Sequence, residues 1–322
     1  MRRLAGFYLL AAAALLMPLL FPDNYYVTVV GVAAGFNVIL AVGLNLLMGY
    51  GGQISLGHAA FFGIGAYASG ILTTRYGWQP WPAIGAGLLA AFVIANAIAR
   101  PVLRLRGHYL AMATLGFGII LHIVMVQEGA WTGGPDGMGG IPTLSLFGFA
   151  LDSDLRWYYF ITAAALVGVW VALNLVASRP GRAMRAVHGS EYAAAMMGID
   201  TARTKANVFV YAALTAALAG SFFAHQQAFI SPESFSFFFS IELVTMVVLG
   251  GLASTFGAVF GAAALTFLPE FLVVFEDYEV LIFGAILMGV MIFMPQGLFV
   301  GVAGAARRVW QWTGRRGGGG AD

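Results

Sequence analysis

The chain has 322 residues, of which 60% are hydrophobic and only 9% are charged. A soluble globular domain carries roughly 25% charged residues, so this composition excludes a water-soluble protein and predicts one whose main solvent is lipid. The net charge of +2 gives no indication of a nucleic-acid partner, and the absence of cysteine excludes disulfides, a thiolate nucleophile and a Cys-ligated metal.

Ten apolar stretches approach the ~20 residues that a helix needs to cross a ~30 Å hydrocarbon layer. They lack the alternation of a membrane barrel, so we predict an all-α integral membrane protein of about ten transmembrane helices. The predicted spans are residues 4–21, 26–48, 54–74, 81–99, 109–127, 157–177, 206–229, 237–254, 257–275 and 279–295. Segments 54–74 and 257–275 follow short glycine-rich connections, and for these two a full crossing and a re-entrant or broken helix both stay open.

The first stretch resembles a signal peptide, because it follows Met1-Arg2-Arg3. Bulky residues such as Leu15 stand where a cleavage site needs small ones, so we interpret it as an uncleaved first span. Residues 1–306 are then one transmembrane domain into which the cytoplasmic segment 178–205 is inserted. Residues 307–322 form a basic, glycine-rich cytoplasmic tail that is predicted to be disordered.

The positive charges test the number of spans independently. When ten spans alternate from a cytoplasmic N-terminus, all of the 16 lysine and arginine residues except Arg75 and Arg156 fall on the cytoplasmic side. Cytoplasmic loops retain positive charge, and a wrong number of spans would scramble this asymmetry. The sequence therefore predicts that both termini are cytoplasmic.

The predicted cytoplasmic segment 178–205 contains a short helix. Ser190 can cap it, Glu191 lies in the first turn where the helix dipole favours an anion, and Gly198 can end it. Met196 and the methionine after it would be exposed near its end, which favours docking to another protein. The alternative is a helix that lies on the inner lipid headgroups.

A few polar residues within the spans are candidates for a substrate pathway. Glu242 lies about five residues into the eighth span, roughly 8 Å along a helix, and a carboxylate there is costly unless it faces a wet cavity or a partner. It could meet the ammonium group of an amino acid, or it could be a structural residue. The weaker candidates are Asn45, Gln53, Ser55 and Thr114.

Other patterns do not indicate chemistry. Gly63-Ile-Gly65-Ala-Tyr-Ala68 fits a dinucleotide fingerprint, but it lies inside an apolar helix with no preceding strand, so it predicts close helix packing. Lys205 is the sole lysine and does not follow a Walker loop, so ATP hydrolysis by this chain is excluded. The five histidines show no metal-binding spacing, and no metal site is predicted.

Several motifs together resemble the LivM-type permeases of branched-chain amino-acid ABC importers. The resemblance covers about residues 35–298. The motifs are Gly43-Leu-Asn45-Leu-Leu-Met-Gly49-Tyr-Gly-Gly-Gln53-Ile-Ser55-Leu-Gly57-His58, Tyr109-Leu-Ala-Met-Ala-Thr114, Thr132-Gly-Gly-Pro-Asp136, Gly181-Arg182-Ala-Met-Arg185, Ala195-Met-Met-Gly198, Ser231-Pro232-Glu-Ser234 and Glu242-Leu-Val-Thr-Met-Val-Val-Leu-Gly250-Gly251. Two departures are His108, where an acid is frequent, and His188-Gly189, where a charged pair is usual.

The resemblance implies a multi-pass subunit of the bacterial inner membrane that is not itself an enzyme. Its implied partners are a LivH-type sister permease, two cytoplasmic ATPase subunits of the LivG and LivF type that bind ATP and Mg²⁺, and a periplasmic binding protein. This chain is expected to hold no cofactor. By similarity, residues 189–198 form the coupling helix that docks on an ATPase. The implied coupling residues are Arg182, Arg185, Glu191, Ala195 and Gly198.

Rival functions remain beside this one. A secondary carrier or channel explains the spans but leaves the exposed helix at 189–198 without a partner. An intramembrane enzyme would need a facing pair of aspartates, a zinc motif or a thiol, and the sequence contains none of these patterns. Relatives of LivM-type permeases import urea, short amides and other small compounds, so the ligand stays open.

Overall fold

A computed structural model describes residues 2–21, 24–105, 107–146 and 148–272, together with isolated residues between 281 and 297. The predicted tail 307–322 lies outside the described residues, and the predicted tenth span is described only at isolated positions. The twelve helices within the described ranges are α1 (Arg2–Leu20), α2 (Gly31–Asn45), α3 (His58–Tyr76), α4 (Pro80–Val102), α5 (His108–Gln127), α6 (Gly129–Thr132), α7 (Asp154–Ala177), α8 (Arg179–Gly189), α9 (Glu191–Met196), α10 (Thr201–Gln227), α11 (Phe237–Gly250) and α12 (Thr255–Leu272).

Six of the described helices are long and apolar enough to cross a membrane, so the chain is a multi-pass membrane protein. They are α4, α5, α7, α10, α12 and the segment Tyr26–Tyr50, in which π-helical turns extend α2 at both ends. The apolar helices α1 and α11 are shorter, and α3 contains many small and polar residues. A total of ten crossings stays a prediction.

The centre of the bundle consists of α2, α3 and α10. In the apolar 18-residue stretch of each helix, 72% of the residues of α10 and 67% of those of Tyr26–Tyr50 are buried. In α5 only 17% are buried. Glycines bring α3 and α10 together: a Cβ atom at Gly65 would overlap the carbonyl group of Ala217, and one at Gly220 would overlap that of Phe62. These contacts confirm that the Gly63–Ala68 pattern serves helix packing.

Connections that the charge pattern predicts on one side of the membrane lie together in the fold. At one end, the Tyr50 hydroxyl lies 3.3 Å from that of Thr255, and a Cβ at Gly52 would contact the His188 ring. At the other end, Trp81 Nε1 donates to the carbonyl of Ser145 at 2.8 Å. We call these the basic end and the acidic end, after the charges of their connections.

Short strands close the acidic end. Strand β1 (Met138–Gly139) pairs antiparallel with β4 (Phe229–Ile230), with Met138 opposite Ile230. Strand β2 (Ser145–Leu146) pairs in the same way with β3 (Phe149–Ala150). The β1–β4 pair ties the long connection 128–156 to the end of α10, and the β2–β3 pair folds that connection back on itself.

The connection 178–205 is more helical than the sequence analysis predicted. Besides the expected short helix, now α9, it contains α8, and α10 begins at Thr201 instead of residue 206. Each helix has an N-cap: the side chains of Ser178, Ser190 and Asp200 accept hydrogen bonds from the backbone N–H groups of Gly181, Ala193 and Arg203. Only the Ser190 cap was foreseen, which is why the other two helix starts were missed.

Candidate translocation and coupling site

The helix α3 begins deep inside the bundle. It runs in the same direction as α10, since Gln53 lies beside Lys205 and Gly65 lies beside Ala217. At ~1.5 Å per residue, a helix rises ~10 Å from His58 to Gly65 but ~24 Å from Thr201 to Ala217. The helical part of α3 therefore begins roughly 14 Å further along the bundle than that of α10, and a non-helical segment, residues 52–57, fills the gap. We call this segment the break.

Two hydroxyl groups from other helices satisfy backbone groups at the break. The N–H of Leu56 donates to Thr114 Oγ1 on α5 at 3.0 Å, and the N–H of Ala59 donates to Ser240 Oγ on α11 at 3.3 Å. Non-helical backbone buried inside a bundle of membrane-spanning helices needs such partners, because neither lipid nor bulk water supplies them there. The break is therefore a specific part of the fold that side chains from two distant helices stabilise.

Polar side chains are buried around the break with hydrogen-bonding capacity to spare. Gln53 is 3% exposed, Ser55 4% and His58 2%. Within the described part of the chain, Gln53 Oε1 and His58 Nε2 have no hydrogen-bond partner. A buried polar atom without a partner costs free energy, so this region favours a polar ligand or water.

Three of the predicted pathway residues, Gln53, Ser55 and Thr114, thus meet at the break, whereas Asn45 has a different position. The Asn45 side chain donates from Nδ2 to the carbonyl of Ser254 at 3.0 Å and accepts from the N–H of Ala253 at 3.1 Å. It therefore fastens the end of α2 to the connection between α11 and α12. We call this pair of hydrogen bonds the asparagine staple.

Glu242 lies apart from the break. It is on an exposed face of α11, next to Ile241 and one turn from Phe238, which are also exposed. A carboxylate among apolar side chains on an outer face does not line a space enclosed by this chain alone. It requires either a second chain or a wet pathway at that face.

The short helix α9 has the geometry that the sequence predicted. Ser190 Oγ accepts from the N–H of Ala193 at 3.2 Å, and Gly198, with φ +80°, ends the helix in the left-handed conformation that favours glycine. Met196 is 87% exposed and Met197 82%. These two side chains, with exposed Ala195 beside them, form an apolar tip.

Two other predicted coupling residues, Arg182 and Arg185, lie on α8. The Arg182 side chain donates to the carbonyl of Ala177 at 3.2 Å, and that of Arg185 donates to the carbonyl of Val176 at 3.4 Å. Both arginines therefore satisfy carbonyl groups at the C-terminal end of α7, where a helix leaves acceptors unpaired. They hold α8 in place and do not belong to the exposed tip.

An ion pair that the sequence analysis missed links α9 to the bundle. Lys205 Nζ lies 2.8 Å from Glu191 Oε1, and Lys205 is buried. The carbonyl of Lys205 accepts a long hydrogen bond from Gln53 Nε2 at 3.5 Å. A continuous path of polar contacts thus runs from α9 through Lys205 to the break. The available signal was that this chain has a single lysine, next to the predicted coupling segment.

Comparison with known proteins places the chain among permeases. A family model described as the permease component of the branched-chain amino acid transport system matches residues 6–294. No solved structure shows a significant match.

Curated relatives agree with the family match. The chain is 36% identical over 265 residues to the high-affinity branched-chain amino acid transport system permease protein LivM of Escherichia coli, and 34% identical over 264 residues to LivM of Salmonella typhimurium. These alignments cover 75% of this chain and 62% of each relative. The chain is also 26% identical over 260 residues to LivH of Salmonella typhimurium, covering 75% of this chain and 83% of LivH. The chain thus spans less than two thirds of the length of the LivM proteins that it matches.

Proposed function

Because the chain belongs to the family of permease components of branched-chain amino acid transport systems, we propose that it translocates branched-chain or related hydrophobic amino acids across the bacterial inner membrane. ATPases on separate chains drive the transport. The observation that carries the proposal is the contact path from α9 to the break, because it joins an exposed docking helix to an unwound segment in the centre of the bundle.

The proposed assembly contains this chain, a LivH-type sister permease, two ATPase subunits and a periplasmic binding protein. This chain crosses the membrane ten times, with both termini and the basic end in the cytoplasm. The apolar tip with Met196 docks on an ATPase. Glu242 faces the sister permease, since a carboxylate on an outer face of α11 needs shielding from lipid.

The Glu191–Lys205 ion pair transmits movement between the ATPase and the break. When the docked helix α9 moves, the ion pair moves the start of α10 with it, and the hydrogen bond from Gln53 carries the displacement to the break. Removal of one partner would leave a charge in a largely buried position, which is strongly unfavourable. The ion pair is therefore suited to couple the movements of α9 and α10.

The break is where the substrate passes. The first N–H groups of α3 lie at membrane depth, where a helix N-terminus favours the carboxylate of an amino acid. Gln53 Oε1, an acceptor without a partner in the described structure, is available to the ammonium group. The hydroxyls of Thr114 and Ser240 hold the backbone of the break until the bundle rearranges.

A charge swap tests the role of the Glu191–Lys205 ion pair in coupling. Glu191→Lys and Lys205→Glu should each reduce ATP-driven leucine uptake by the reconstituted complex about tenfold, and the double variant should restore at least half of the uptake. The control is the exposed pair Asp152–Arg156 at the acidic end, where the same swap should change uptake little.

Two results would contradict the proposal. One is a double variant that assembles fully but stays as inactive as the single variants, because then the ion pair has no role in coupling. The other is gradient-driven leucine uptake by proteoliposomes that contain only this chain, which would assign a secondary carrier.

A further inference from the structure

A basic cavity of about 600 Å³ lies at the basic end, between α4 and α10 and beside α9. Its polar lining comes from three directions. The polar lining residues are Asn96, Arg100 and Arg104 from α4 and the turn after it, Glu191 from α9, and Thr201, Arg203, Lys205 and Asn207 from α10. Two of these residues, Glu191 and Lys205, also form the ion pair of the proposed coupling path, and the others extend the cavity away from it along α4 and α10.

The charges in this cavity are unbalanced. The described lining carries four basic side chains and one carboxylate, Glu191, which forms an ion pair with Lys205. Arg100, Arg104 and Arg203 remain, and within the described ranges no carboxylate forms an ion pair with any of them. Three guanidinium groups around one cavity repel one another unless an anion joins them, and guanidinium groups bind phosphate oxygens with matching geometry. The cavity is therefore suited to a phosphate group.

An exposed apolar stripe continues from this cavity along α4. Leu89, Phe92 and Val93 are exposed, and they lie on the same helix face as Asn96 and Arg100, at spacings of three and four residues. This face of α4 is exposed on the outside of the bundle, and α4 is long and apolar enough to cross a membrane, so membrane lipid can reach it. A basic cavity above an apolar stripe matches a molecule with an anionic head and hydrocarbon chains.

We propose that this cavity binds the headgroup of an anionic phospholipid from the cytoplasmic leaflet, with an acyl chain along Leu89, Phe92 and Val93. Basic pockets at the cytoplasmic ends of transmembrane helices attract such lipids. A free phosphate shares the headgroup chemistry but has no group to cover the stripe. The bound lipid would contact the same cavity wall as Glu191 and so support the position of α9.

Native mass spectrometry of the full chain in detergent tests this proposal. Phosphatidylglycerol should bind at least tenfold more tightly than phosphatidylcholine with the same acyl chains. The double variant Arg100→Gln, Arg203→Gln should lose about tenfold or more in affinity for phosphatidylglycerol and little for phosphatidylcholine. The matched control is Arg179→Gln on α8, an exposed arginine outside the cavity, which should leave both affinities unchanged.

Two further measurements separate the lipid from a soluble anion. Phe92→Gln should weaken binding of phosphatidylglycerol, because the acyl chain loses its apolar contact. Millimolar inorganic phosphate should compete poorly with phosphatidylglycerol. The proposal is overturned if the cavity variant binds phosphatidylglycerol like the wild type, if Arg179→Gln loses as much affinity, or if phosphate displaces the lipid completely. None of these readouts depends on transport, so their failure leaves the proposed importer function untouched.

Discussion

Two glycine-rich connections at the basic end have similar sequences but different structures. Residues 51–55 read Gly-Gly-Gln-Ile-Ser, and residues 250–254 read Gly-Gly-Leu-Ala-Ser. After the first pair of glycines the chain stays non-helical as far as Gly57 and enters the bundle. After the second pair it reverses at once, and α12 begins at Thr255.

The difference comes from the surroundings of each connection. The second connection turns tightly because Gly251 and Ala253 have positive φ angles and Gly250 packs on the backbone of Gly257, while Asn45 fastens the turn. The first has hydroxyl partners deeper in the bundle, on Thr114 and Ser240. The second connection is thus a rigid joint between two helices, and the break is a segment held by a few exchangeable hydrogen bonds.

The largest loss of stability is expected at Gly250 in the second connection, where there is no space for a side chain. In Gly250→Val the new side chain would overlap the carbonyl group of Gly257, and backbone cannot yield as a flexible side chain can. The cost should exceed about 4 kcal/mol, so that thermal unfolding in detergent shows little folded protein. Gly168→Val on α7, where a Cβ meets nothing within 4 Å, is the control and should change stability little. A stable Gly250→Val protein would show that α11 and α12 are not held rigidly.

The second-largest loss of stability is expected when the asparagine staple is removed. Asn45→Ala removes both hydrogen bonds of a buried side chain and leaves the N–H of Ala253 without its acceptor, which should cost about 2–4 kcal/mol. The control is Asn174→Ala, since the Asn174 amide bonds only within its own helix, to the carbonyl of Trp170. If denaturation gives equal losses for the two variants, Asn45 does not fasten the second connection.

At the break the expected loss of stability is smaller and the loss of function larger. Thr114→Val keeps the shape of the side chain but removes the acceptor of the Leu56 N–H, at a cost of about 1–3 kcal/mol. ATP-driven uptake by the complex should fall about tenfold, because the break loses its partner on α5. Thr245→Val, whose hydroxyl bonds only the carbonyl of Ile241 on its own helix, should transport normally. Normal uptake by Thr114→Val would remove the break from the mechanism.

The smallest effect on stability is expected for Glu242→Gln, because the side chain lies on an exposed face. Stability should change by less than about 0.5 kcal/mol, while uptake should fall several-fold if the carboxylate faces the pathway beside the sister permease. Glu233→Gln, an exposed acid in the turn before α11, is the control. Equal uptake by both variants and the wild type would assign Glu242 no part in transport.

The sequence alone was sufficient for the features that depend on local composition. Most span boundaries agree with the helices to within a few residues, because transfer into lipid depends on the hydrophobicity of each stretch by itself. The start and end of α9 were predicted from Ser190 and Gly198, because caps are contacts between close neighbours in the chain. Close helix packing at the Gly63–Ala68 pattern was also predicted from its small residues.

Only the tertiary structure decided which polar residues meet. Gln53, Ser55 and Thr114 were predicted only as separate pathway candidates. Their meeting at the break, the role of Asn45 as a staple, the hydroxyl of Ser240 and the Glu191–Lys205 ion pair were not foreseen. The Asn45 and Ser240 contacts join residues about 180 or more positions apart, and no local pattern encodes such distances. The position of the break followed from the register of α3 against α10. The close packing of Gly65 on Ala217 and of Gly220 on Phe62 sets this register, and hydrophobicity cannot reveal it.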